Sequence, residues 1–110
     1  MMTLAAFRQA LLAALKRHFP HSKISMEERR GLILTCKVEL NNEMFIAVYF
    51  NTLTGKTSYA LVQRGQRVAG YDNYKFWHYH PLAATTQHIP CAEPTPEDAI
   101  AELARVSAKL

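Results

Sequence analysis

Residues 32–40 read LILTCKVEL, and residues 44–51 read MFIAVYFN. In the first stretch Leu32, Leu34, Cys36, Val38 and Leu40 take alternate positions, with Lys37 and Glu39 between them. A period of two belongs to a strand with one face buried. The second stretch is β-branched and aromatic, as strands are. Asn41-Asn42 separates the two, and Asn tolerates positive φ in a tight turn. These two strands and the turn between them set the fold as an antiparallel hairpin.

The same rhythm continues downstream. TLTG turns at Gly55, KTSYALVQR gives a third strand, Gly65 turns again, and RVAGYDN gives a fourth. Turns recurring at about ten-residue spacing indicate an antiparallel meander. Upstream, MEERR before Gly31 extends the sheet as a further strand in this reading. The chain ends change period. Leu4, Phe7, Leu11, Leu15 and Phe19 recur every three or four residues between Thr3 and Phe19, which predicts an amphipathic helix that Pro20 stops. At the other end Thr95 is an N-cap, Pro96 fits the first helical position, and Glu97 with Asp98 suits the positive helix start. Ile100, Leu103, Val106 and Leu110 supply that helix's buried stripe. The expectation is one α+β domain over 1–110, a meander of four to five strands packed with an N-terminal and a C-terminal helix.

Composition narrows the class. The 110 residues are 49% hydrophobic, enough to fold around one core. No run approaches the roughly 18 apolar residues of a membrane span. The alanine- and leucine-rich opening lacks the compact apolar core and cleavage site of a targeting peptide. Two cysteines, Cys36 and Cys91, are too few for a disulfide framework, and a reducing cytoplasm is the simplest compartment. Cys36, within an apolar run, reads as a buried thiol. The formal charge of +4 favours an anionic partner such as RNA, and equally describes a plain solvated basic surface.

Chemistry concentrates after the fourth strand, in GYDNYKFWHYHPLAATTQHIPC, residues 70–91. Extended through 76–80, Phe76, His78 and His80 share one face. Trp77 and Tyr79 share the other and anchor the segment to the core. Pro81 stops further pairing. Two readings follow from the paired imidazoles. In the first they exchange protons as general base and general acid, with Asp72 orienting one ring. RNA brings its own 2′-hydroxyl nucleophile, so no metal cofactor is required. Lys75 and Arg67 hold phosphate, and Tyr71, Trp77, Tyr74 and Phe76 offer stacking surfaces. In the second reading His78, His80, His88 and Cys91 bind zinc, which accepts nitrogen and thiolate ligands at such spacings. Glu93 or Asp72 replaces Cys91 or orients a histidine in a variant of it. The plain reading has these histidines capping turns and the aromatics in the core. His18 and His21, flanking Pro20, read as surface or helix-capping residues.

Over GYDNYKFWHYHP and HIPCAEPTPEDAIAEL the chain resembles a small prokaryotic family related to the TumE-like toxins of type II toxin–antitoxin systems. Tyr71, Asp72, Asn73, His78, His80, Pro81 and His88 carry the resemblance. The family's pattern runs closely from Asp-Asn to Ala-Pro-His-His, whereas here YKFWH intervenes and His88 stands alone. The resemblance implies a growth-inhibiting toxin acting on RNA as an endoribonuclease, with a cognate antitoxin protein that binds DNA. The antitoxin would cover the histidine loop. A zinc-binding or protein-interaction module without catalysis is the alternative, and a structural subunit of a larger complex a third reading. The oligomeric state stays open, a homo-oligomer included.

Overall fold

A computed structural model describes residues 2–110. Helix α1 (Leu4–His18) leads into strands β1 (Lys23–Arg29), β2 (Ile33–Glu39), β3 (Met44–Asn51), β4 (Thr57–Gln63), β5 (Gln66–Asp72), β6 (His78–His80) and β7 (Ile89–Pro90). Helix α2 (Pro96–Ser107) closes the order. The strands lie side by side in sequence order, every neighbour antiparallel, in one seven-stranded meander. The α+β class stands, and the expected four to five strands become seven. Strand β1 is an edge strand whose charged second half, Glu27 to Arg29, is exposed and hides its alternation. Strands β6 and β7, of three and two residues, are too short for a period to show.

Parity explains the layering. Leu34, Val38, Ile46, Leu61 and Tyr59 point to one face and are buried under both helices. Leu11 and Leu15 of α1 and Ile100 and Leu103 of α2 cover them, and Phe7 stacks on Phe50 with centroids 4.2 Å apart. Thr3 caps α1, and Thr95 caps α2 in a reciprocal capping box with Asp98. Leu110, expected in the α2 stripe, lies beyond the helix end and is exposed. His18 pairs with Glu97, tying the C-terminal end of α1 to the start of α2. Neither Asn41 nor Asn42 has positive φ. That turn is held instead by the Asn41 side chain, which accepts from the Glu43 N–H at 2.8 Å. The β4–β5 turn does use left-handed backbone, with Arg64 at φ 51° and Gly65 at φ 79°. Two such residues suit the right-handed twist of a tight hairpin. Among the described residues no helix is long and apolar enough to cross a membrane.

The sheet's other face has no helix on it. Cross-strand register defines two rows there. One runs Ser25–Lys37–Ala47–Ala60–Gly70–His80, and the other Glu27–Thr35–Tyr49–Ser58–Asp72–His78. Both rows end at the histidines.

Candidate metal centre

Strands β5 and β6 build the site. Asp72 sits directly opposite His78, and Gly70 opposite His80, so Asp72 and both histidines share the uncovered face. A register shift between Leu61 and Val62 sets Val62 against Arg67 and turns Arg67 to this face as well. Its Nη1 lies 3.4 Å from Asp72 Oδ2. The segment 81–88 then folds back over the histidines, leaving His78 and His80 only 2% and 1% exposed. His88 ends that segment at the surface.

The three imidazoles form a cluster with centroid separations of 4.6 to 4.8 Å. One ring nitrogen from each lies within 4.8 Å of the others. Zinc–nitrogen bonds of about 2.0–2.1 Å at tetrahedral angles set ligand nitrogens about 3.3 Å apart, so a bound ion would draw the set inward. His88, on an exposed segment, is the member free to move.

Each buried ring faces oxygen on both sides. His78 Nδ1 lies 2.9 Å from the Phe76 carbonyl oxygen, and His80 Nδ1 lies 2.9 Å from that of Thr85. On the far edges, His78 Nε2 is 3.0 Å from Asp72 Oδ1 and His80 Nε2 is 3.0 Å from Asp72 Oδ2. A neutral imidazole owns one N–H and one lone pair. With Nδ1–H donated to a carbonyl, both Nε2 lone pairs confront one carboxylate. Such an arrangement calls for a cation at the Nε2 edge, either a second proton or a metal ion. Nδ1–H bonded to a backbone carbonyl is also the usual way a metal-binding histidine is oriented.

Burial acts to raise the Asp72 pKa, but the Tyr74 N–H, the His80 bond and the nearby His78 and His80 outweigh it. The carboxyl is held below its ordinary value.

The remaining sequence-derived candidates divide by parity. Trp77 and Tyr79 point to the helix face. Trp77 packs on the core, and the Tyr79 hydroxyl donates to Glu102 of α2 at 2.8 Å. Tyr71, opposite Tyr79, packs against it with the rings tilted at 45° and centroids 4.7 Å apart. Tyr71 and Trp77, expected as stacking surfaces for bases, therefore lie behind the sheet from the histidines. Phe76 and Tyr74 are the exposed aromatics here, at 49% and 67%. Phe76 meets His78 edge-on at 5.2 Å. Lys75 has positive φ, 68°, and its ammonium lies over the Tyr74 ring. Asn73 serves structure: its side chain accepts from Thr57 N–H and donates to the Gly55 carbonyl.

Cys91, expected as the fourth ligand, is not brought to the cluster. Its N–H donates to the Trp77 carbonyl, placing it opposite Trp77 in the helix-side register, and its sulfur is felt electrostatically by Tyr71. Glu93 lines a separate apolar cavity of about 600 Å³ with Phe7, Phe50 and Trp77. Of the carboxylates weighed as substitutes for the cysteine, only Asp72 touches the histidines.

The thiols offer a check on this placement. Burial pushes the Cys36 thiol up to about 11, and Cys91, more open, is raised by desolvation too. The thiolate is the reactive form. Iodoacetamide at pH 8 is expected to alkylate Cys91 in the native protein and Cys36 only after denaturation. Peptide mass spectrometry reads the order, and equal labelling of Cys36 would mean that the β2 face is not packed as described.

Comparison with known protein families, curated proteins and solved structures returns no match to this chain. The class defined by fold and site is thus an α+β meander with a histidine-rich centre on its uncovered face.

Proposed function

We propose that the chain is a metal-binding protein of the zinc class, with His78, His80 and His88 as nitrogen ligands and Asp72 as the carboxylate beside them. The observation that carries this reading is the pairing of both Nε2 atoms with one carboxylate at 3.0 Å, behind Nδ1 atoms committed to carbonyls. A divalent ion satisfies the two lone pairs and the carboxylate together. Three imidazoles and an oxygen donor suit zinc, which takes nitrogen and carboxylate ligands in a four-coordinate shell. When bound, zinc acts as a Lewis acid if a coordination position stays open, or as a clamp on segment 81–88 if none does.

The test starts from protein purified without a histidine tag, stripped with chelator and titrated with Zn²⁺ by calorimetry. One equivalent is expected to bind. Cys91→Ala should bind as the parent does, since Cys91 lies across the sheet. Asp72→Asn should weaken binding by more than the roughly 10–100-fold usual for an outer carboxylate, since Asp72 faces the same Nε2 atoms that would hold the ion. Loss of zinc in Cys91→Ala with retention in Asp72→Asn would relocate the site.

A second reading is supported by the same geometry with the cation exchanged. A second proton on a buried ring would equally answer the two facing oxygens. The pair would then act as general acid and general base, with Asp72 orienting His80. In this reading the chain is a toxin-like, metal-independent endoribonuclease, with Arg67 near the carboxylate and Lys75 on the adjoining turn to meet phosphate. RNA cleavage by the purified protein that survives chelation of its metal would favour it.

A further inference from the structure

The uncovered face of the sheet leads directly into the histidine cluster. Its middle is floored by small side chains, Ala47, Ala60 and Ser58, with Gly70 beside His80. A shallow trough of about 410 Å³ lies over the β1–β4 part of this floor, from Glu27 to Ala60. Aromatic rings stand on either side of it, Phe45 and Tyr49, both half-buried and both pointing outward by strand parity. A lysine accompanies each ring: Lys37 Nζ lies 4.5 Å from the Phe45 centroid and Lys56 Nζ 5.9 Å from that of Tyr49. Beyond the trough, Arg67, carried round by the bulge, adds a guanidinium beside Asp72.

We propose that this face is a single-stranded RNA track, with Phe45 and Tyr49 under the bases, Lys37, Lys56 and Arg67 at the phosphates, and its end at the histidine cluster. The inference rests on the RNA-directed reading of that cluster and adds the form of the substrate, a single strand, and the face that holds it. From β2 to β6 the row crosses four strand gaps, about 19 Å at the usual spacing. Phe45 and Tyr49 stand four residues apart on β3, about 13 Å at the usual rise and one on each side of that row, so a strand following the row turns one base to each ring. Small floor residues let the strand lie close to the backbone. A base arriving on either ring takes the place of the ammonium, which is then released to the adjoining phosphate. The acidic group at the far end, Glu27, marks where the track stops. A protein partner would want a larger contiguous apolar patch, and this trough, though mostly apolar, is small. A duplex presents no free base faces for the rings.

The test is fluorescence anisotropy of a labelled 12-nucleotide single-stranded RNA at low and raised salt, with duplex RNA of the same sequence as comparison. The parent protein should bind the single strand in a salt-sensitive way and the duplex more weakly. Phe45→Ala and Tyr49→Ala should each weaken binding about tenfold or more, within the range of one lost stacking contact. Lys37→Glu should weaken it and flatten the salt dependence. All three should keep the parent's circular dichroism and zinc uptake, because none touches the core or the cluster. No binding by the parent, duplex bound as tightly as single strand, or undiminished binding by all three variants would each overturn the track. A His80→Ala variant that loses zinc or growth arrest yet binds RNA as before separates the two ideas. In that case the track stands and the cluster, not the face, carries the chemistry.

Discussion

Replacing both His78 and His80 by Ala is expected to abolish zinc uptake, leaving no calorimetric binding at concentrations where the parent saturates. Two of three nitrogen ligands disappear, and a lone exposed imidazole beside one carboxylate cannot hold the ion at comparable affinity. The double change also has a structural cost. The Phe76 and Thr85 carbonyls lose their donors, and Asp72 loses two contacts at 3.0 Å. A buried group left without its partner costs about 1–3 kcal/mol. The variant should therefore melt earlier than the metal-free parent, and its fold is checked by circular dichroism before affinity is read. His88→Ala supplies the clean companion. That ring is exposed, so its removal should cost little stability while zinc affinity falls by more than the roughly 10–100-fold seen for an outer partner. Zinc bound by the doubly substituted protein with the parent's affinity would sink the metal centre. If the parent arrests growth and the double variant arrests it equally, the ribonuclease reading falls as well.

Much of this site was legible from residues 70–91, because alternation is a robust rule even in a short extended run. It put Phe76, His78 and His80 together and set Trp77 and Tyr79 behind them. The same rule, applied one strand further, would have placed Cys91 beside Trp77's row rather than His78's. What hid this was the missing register: nothing in HPLAATTQHIPC announces that Tyr79 pairs with Ile89. Tyr71 shows a related limit. Adjacent to Asp72, it has the opposite parity, and crowding in sequence does not amount to convergence in space. The reach of Arg67 to Asp72 depends on the β-bulge at Val68, opposite Leu61 and Val62, which has no mark in the sequence beyond the ordinary residues around it. Nor did composition reveal the uncovered face. Ala47, Ala60 and Gly70 become neighbours only once β3, β4 and β5 are in register. Asp72 beside a ring was expected from the sequence, but the Phe76 and Thr85 carbonyls facing the two imidazoles were out of reach, since they belong to the backbone.

Gly70→Ala is expected to destabilise the protein strongly, although Ala is an ordinary residue for a strand. A methyl group built on Gly70 would lie 2.4 Å from the Tyr59 carbonyl oxygen and 3.2 Å from the Ala60 Cα. Both neighbours are backbone of β4, so no side chain can swing aside. Either β5 moves away from β4, breaking pairing next to the bulge, or the overlap is absorbed as strain. Overpacking of this kind costs about 1–3 kcal/mol, and more where backbone must shift. For a domain of this size each kcal/mol lowers the melting temperature by roughly 4–8 °C. Gly31→Ala is the natural control. Its φ is +66°, and nothing lies within 4 Å of the added methyl. Only the left-handed backbone penalty of about 1–2 kcal/mol applies there. Denaturant melts should place Gly70→Ala below Gly31→Ala. The distinction reaches function because Gly70 pairs with His80 and stands two residues before Asp72. Moving β5 would separate the carboxylate from both imidazoles, so Gly70→Ala should lose zinc affinity where Gly31→Ala retains it. Equal stability of the two variants would mean that β4 and β5 do not approach that closely, and the geometry joining Asp72 to the histidines would fall with that approach.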